Sequence, residues 1–132
     1  MRKKAAMKRL TWAFVTILAL STLAGAAEKD VFLGTFQVTG TSPGTEGQYQ
    51  GTLTISKQGS VYNLSWRIGQ GETYEGIGLK VGDQLSVAYW TSDRSSAGVV
   101  VYKVSSDGSL SGVWTPQGET RIGTEKATRQ KS

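Results

Sequence analysis

The chain has no histidine and no cysteine in its 132 residues, so base, nucleophile and metal-ligand roles fall to carboxylates, hydroxyls, Lys and Arg. The carboxylates nearest in sequence do not pair. The odd spacing of Glu72 and Glu75 puts them on opposite faces of an extended chain. Asp83, Asp93 and Asp107 each stand beside Gly or Ser, where a turn Asp accepts hydrogen bonds from its own backbone. Gly69-Gln70-Gly71 has the look of a phosphate loop but joins two strand-like runs, and without a helix N-terminus it has nothing to hold phosphate. Asn63-Leu64-Ser65 has the form of a glycosylation sequon and falls mid-strand, so no role is assigned to it. The expectation is a non-enzymatic binding protein with no cofactor and no metal, the alternatives being a structural surface or periplasmic protein without a discrete ligand and an enzyme.

The other residues with chemical potential are aromatic. Tyr62, Trp66, Tyr89 and Trp114 fall on the apolar face of alternating runs. A small barrel builds its core and its ligand cup from the same inward positions, so these four are both core and candidate ligand-binding residues. Trp90 follows the inward Tyr89 and therefore faces out, beside a longer connection at 91–97. With Glu46, Asp93 and Arg94 it forms a candidate rim site, an exposed aromatic ringed by charge.

The elements that position these residues are strands. One run sets Phe32, Gly34, Phe36 and Val38 against Thr35, Gln37 and Thr39, and a second sets Tyr49, Gly51, Leu53 and Ile55 against Gln50, Thr52, Thr54 and Ser56. Tyr62, Leu64, Trp66 and Ile68 against Asn63, Ser65 and Arg67 is the cleanest alternation and fixes the register. Further runs cover about 73–81, 84–91, 98–104, 109–115 and 120–127. Glycines punctuate them as turns, with Asp107-Gly108 the strongest hairpin signal.

Eight short strands joined by short connections predict an all-β fold, an antiparallel up-and-down barrel of about eight strands, with a two-sheet β-sandwich as the alternative. Its core includes Phe36, Leu53, Ile55, Leu64, Trp66, Leu85, Val87, Tyr102 and Trp114. Only 40–47 and 91–97 read as true loops. In a closed meander alternate connections emerge together, so both belong to one rim.

Charge and export are one question. Arg2, Lys3, Lys4, Lys8 and Arg9 precede an apolar run from Leu10 to Leu23 and then Ala24-Gly25-Ala26-Ala27, the order of a secretory signal cleaved after Ala26. The run is shorter than the roughly 20 residues of a spanning helix. The assignment is therefore a signal peptide at 1–26 and one domain at 27–132, periplasmic or extracellular, with no membrane span once the signal is cut. Five of the 15 basic residues leave with the signal and none of the 10 acidic ones, so the domain carries 10 of each. A nucleic-acid partner is not expected of a neutral domain. The outward faces read as Ser, Thr, Gln and Lys, which argues against an outer-membrane barrel.

Several stretches together resemble a group of small exported bacterial proteins carried under the loose label "fibronectin-binding". They are Tyr49-Gln50-Gly51-Thr52-Leu53-Thr54-Ile55, Tyr62-Asn63-Leu64-Ser65-Trp66, Gly76-Ile77-Gly78-Leu79, Leu85-Ser86-Val87-Ala88-Tyr89, Gly98-Val99-Val100-Val101-Tyr102-Lys103 and Leu110-Ser111-Gly112-Val113-Trp114. The resemblance implies shared fold and hints at an extracellular protein partner. The Leu-x-Gly-x-Trp element and strand count are similar to the avidin and lipocalin style of barrel, which implies binding of a small ligand and not catalysis.

Overall fold

The computed structural model describes residues 29–131, and over them the alternation becomes eight antiparallel strands. These are β1 (Gly34–Thr41), β2 (Gln48–Gln58), β3 (Val61–Ile68), β4 (Glu72–Val81), β5 (Gln84–Thr91), β6 (Ala97–Val104), β7 (Leu110–Pro116) and β8 (Gly123–Arg129). Each pairs with the next. β8 returns to β1, from Phe36↔Arg129 to Thr41↔Thr124, so the barrel is closed and the sandwich alternative is excluded. The signal assigned to residues 1–26 lies outside the described residues.

The register follows the predicted alternation. Along β3, Tyr62, Leu64 and Trp66 are buried while Asn63, Ser65 and Arg67 are exposed. Phe36, Leu53, Ile55, Leu64, Trp66, Leu85, Val87 and Tyr102 form the core, with Trp114 half-buried against it. Gly59 and Gly82 sit in the tight turns after β2 and β4 at φ of 60° and 63°, a conformation that favours glycine.

Three departures from the expected pattern have physical causes. Phe32 is not in β1. The chain turns at 31–32 and tucks the ring beneath the barrel, 1% exposed and edge-to-face with Tyr62 at 6.2 Å. Arg129 holds that segment in place, donating to the Leu33 carbonyl and, at 2.8 Å, to the Val31 carbonyl, with its guanidinium 4.8 Å from the Phe36 ring centre. Secondly, β8 starts at Gly123 and not near 120, because 117–122 is a further loop in which Arg121 forks onto Glu119 at 2.9 and 3.2 Å.

The third departure is on the outer wall. Gln37, Thr39, Gln50, Thr54, Ser65 and Arg67 face solvent on β1–β3 as expected, but Ile77, Leu79, Val81, Val99 and Val113 are exposed on β4, β6 and β7. On β4 the buried positions are Gly76 and Gly78, so its aliphatic side chains Ile77, Leu79 and Val81 point away from the core.

Candidate functional site

Connections alternate between the barrel's ends. Loops 42–47, 69–71, 92–96 and 117–122 share one end, and there the interior opens into a cavity of about 400 Å³. Tyr49, Trp66, Tyr74, Tyr89 and Trp114 line it, with Glu125 among them and Ser42, Pro43, Ser96 and Pro116 at the border. The rings meet edge to face in sequence around the wall: Tyr74–Tyr89 at 6.0 Å, Tyr89–Trp114 at 6.3 Å and Trp114–Tyr49 at 5.9 Å, with Trp66 joining Tyr89 at 6.1 Å.

Glycines make room for these rings. Across the ladder Tyr49 stands opposite Gly40, Tyr89 opposite Gly98, Tyr102 opposite Gly112 and Trp114 opposite Gly123. In each pair a Cβ added to the glycine would collide with the partner's ring or hydroxyl. From sequence, the glycines between the alternating runs read as turn punctuation, while Gly34 and Gly51 fall on inward faces. Half of the glycines in the barrel lie within strands, and four of them let an aromatic side chain lie down across its neighbour.

Glu125 is the residue the sequence reading missed. Gly123, Glu125 and Ala127 are the buried positions of β8, so the carboxylate enters the interior at 8% exposure. Tyr49 donates to Oε1 at 2.8 Å, while the Tyr102 hydroxyl and, at 3.4 Å, Trp66 Nε1 donate to Oε2. Trp66 Nε1 also reaches the Tyr102 hydroxyl at 3.2 Å. Burial pushes the Glu125 carboxyl above its ordinary range although the three donors pull it down. Burial and the adjacent carboxylate raise the Tyr49 and Tyr102 phenols, so both keep their protons as donors. Tyr89 is pushed up to about 12, chiefly by burial. At the mouth Tyr74 donates to Glu72 Oε2 at 3.0 Å and is also raised, chiefly by burial.

The candidates from sequence divide between three places. Trp66, Tyr89 and Trp114 line the cup, whereas Tyr62 is 1% exposed against Phe32 at the opposite end and does not touch the cavity. The four inward aromatics alternate alike, and only their distance along the strand decides which end they reach. Trp90 faces outward and is half-buried, with Arg94 above its ring at 5.8 Å. Asp93 is occupied locally, accepting from the Ser95 amide at 2.9 Å and the Ser95 hydroxyl at 2.7 Å, which holds its carboxyl down to about 2. Glu46 is exposed on loop 42–47. Loops 42–47 and 92–96 do share a rim, but the rim candidates stand outside the cavity. The two cup carboxylates come from β4 and β8, strands on opposite sides of the barrel.

No protein-family model and no curated protein matches the chain. Among solved structures it is similar to a designed protein from the de novo design of a fluorescence-activating β-barrel, with a TM-score of 0.58 and 19% identity over 76% of this chain and 94% of that one. At that identity the likeness is one of fold, an eight-stranded up-and-down barrel. Nothing in these comparisons carries the fibronectin-binding label.

Proposed function

We propose that this chain is an exported, non-enzymatic binding protein that holds a small, largely apolar ligand in the aromatic cup. The observation that carries this reading is the cavity of about 400 Å³ walled by six aromatic side chains at one end of an otherwise filled barrel. That the neighbouring fold is a designed fluorescence-activating barrel supports the reading by analogy. Export rests on the basic, apolar and small-residue order of residues 2–27, and the absence of His and Cys supports a binding role over a catalytic one.

The test is a titration of the neutral solvatochromic dye Nile red against the purified chain and against Trp114→Ala. Blue-shifted emission that saturates, and weakens at least several-fold in the variant, supports the cup. Emission that never saturates, or that the variant leaves untouched, overturns it. Export is tested by intact mass after secretion, where a species starting at Ala27 or Glu28 is expected and a full-length membrane-bound one is not.

A second reading places a protein partner on the rim, and the Trp90–Arg94 stack outside the same mouth favours it. The two readings separate by residue. Trp114 serves the cup and Trp90 the rim.

A further inference from the structure

The cup's charge is one-sided. Its lining holds two carboxylates, Glu72 and Glu125, and no lysine or arginine. The arginines on the rim loops are committed elsewhere: Arg121 forks onto Glu119, and Arg94 lies over the outer face of Trp90. Glu125 receives three neutral donors, and among the described residues no Lys or Arg pairs with it. A carboxylate taken out of water needs hydrogen bonds and a counter-charge, and here only the hydrogen bonds are supplied. Two donors fall on Oε2 and one on Oε1, so Oε1 keeps acceptor capacity. Around this group stand the rings of Tyr49, Trp66, Tyr89 and Trp114, whose π faces attract positive charge.

Building on the cup reading above, we infer that the ligand is an organic cation, a substituted ammonium or amidinium with an apolar body, seated among the rings with Glu125 as its counter-ion. An anion would meet two carboxylates with no basic side chain to hold it. A neutral apolar ligand would fill the space but leave the Glu125 carboxyl without its missing charge. The carboxyl raised by burial fits the same account, because a group lacking a counter-charge gives up its proton less readily than one beside a cation. Glu72, bound to Tyr74 at the exposed mouth, adds attraction on entry.

Three aromatic probes test this on the full chain by calorimetric titration, each up to its solubility: phenyltrimethylammonium, its neutral carbon isostere tert-butylbenzene, and the anion benzoate. The cation is expected to bind about tenfold or more tightly than the isostere, with benzoate weakest. Glu125→Gln, checked for folding by circular dichroism, is expected to collapse that ratio towards one. If the isostere matches or exceeds the cation, the charge inference falls while the cup reading stands. If none of the three binds while Nile red does, the charge inference falls and the cup reading stands; if Nile red fails as well, both fall. A ratio unchanged in folded Glu125→Gln removes Glu125 as counter-ion. The ratio on the unmodified chain decides the ligand class even if the variant does not fold.

Discussion

At the floor of the barrel Tyr62 meets Phe32 edge to face at 6.2 Å; at the mouth Tyr74 meets Tyr89 in the same way at 6.0 Å. The residue types and contact geometry match, yet the first pair is sealed and the second borders a cavity. The difference lies in what the chain does beyond the strand ends. At the floor the 31–33 segment turns under the sheet, is clamped by Arg129, and gives up a ring to the interior. At the mouth loop residues such as Pro43 and Ser96 border the space without filling it. Filled or open is thus set by the segments beside the barrel and not by the inward residues themselves.

The largest expected effect contrasts the two ends directly. Phe32→Ala removes a fully buried ring and should cost about 3–5 kcal/mol, a large share of a small domain's stability, while Nile red binding per folded molecule persists. Trp114→Ala, half-buried, should cost about 1–2 kcal/mol and lose the dye. Denaturant midpoints and dye titrations on both variants check the pair. If Phe32→Ala abolished dye binding in folded protein, the two ends would not be independent.

A middle-sized effect probes the glycine pairing. In Gly98→Ala the new Cβ meets the Tyr89 hydroxyl and also the Thr115 carbonyl, a backbone atom that cannot swing aside. A cost of about 1–3 kcal/mol is expected from this overpacking, together with a displaced Tyr89 ring and weaker dye binding. An unchanged unfolding midpoint would show that the wall yields and that the ring does not depend on the gap.

The strands, their order and the inward set were legible because period-two alternation reports one buried face wherever large apolar residues mark it. Tyr62, Leu64 and Trp66 are read without ambiguity. β4 reverses the rule, hiding Gly76 and Gly78 while exposing Ile77 and Leu79. Glu125 reverses it again. A charge in an alternating run reads as outward, and its three donors, Tyr49, Trp66 and Tyr102, lie on three other strands that only closure brings to it. Phe32 was legible as apolar but not as a plug, since the turn that tucks it under depends on the reach of Arg129 from the last strand.

A smaller effect follows from Glu125 and separates this interior carboxyl from those on the exposed loops by sign. Its carboxyl is raised on folding, so the folded state binds that proton more tightly; the stability it adds is complete below the unfolded value of about 4.3 and is lost as pH rises through its folded value. Asp93, Asp107 and Glu119 are lowered by local hydrogen bonds, so their contribution is present above about 4 and fades on further acidification. Acidifying from neutral pH towards the unfolded carboxyl value should therefore raise the melting temperature of the protein relative to Glu125→Gln. A difference between the two proteins that does not vary with pH would mean that Glu125 is not shielded from water.

The smallest effect belongs to Trp90, on the outer side of the mouth. Its ring is half-buried under Arg94, so truncation loses apolar contact and a stacked cation. Its Nε1 is also buried without a hydrogen-bond partner among the described residues, so truncation removes an unsatisfied donor as well. The two terms oppose each other. Trp90→Ala is expected to change stability by about 1 kcal/mol or less, roughly 4–8 °C at most for a domain of this size, and to leave Nile red binding unaltered because the side chain points away from the cup. Thermal melts and dye titration on this one variant test both halves. Unfolding would place the ring in the core and shift the β5 register by one residue, while loss of the dye with the fold intact would show that the outer wall supports Tyr89, its inward neighbour, from behind.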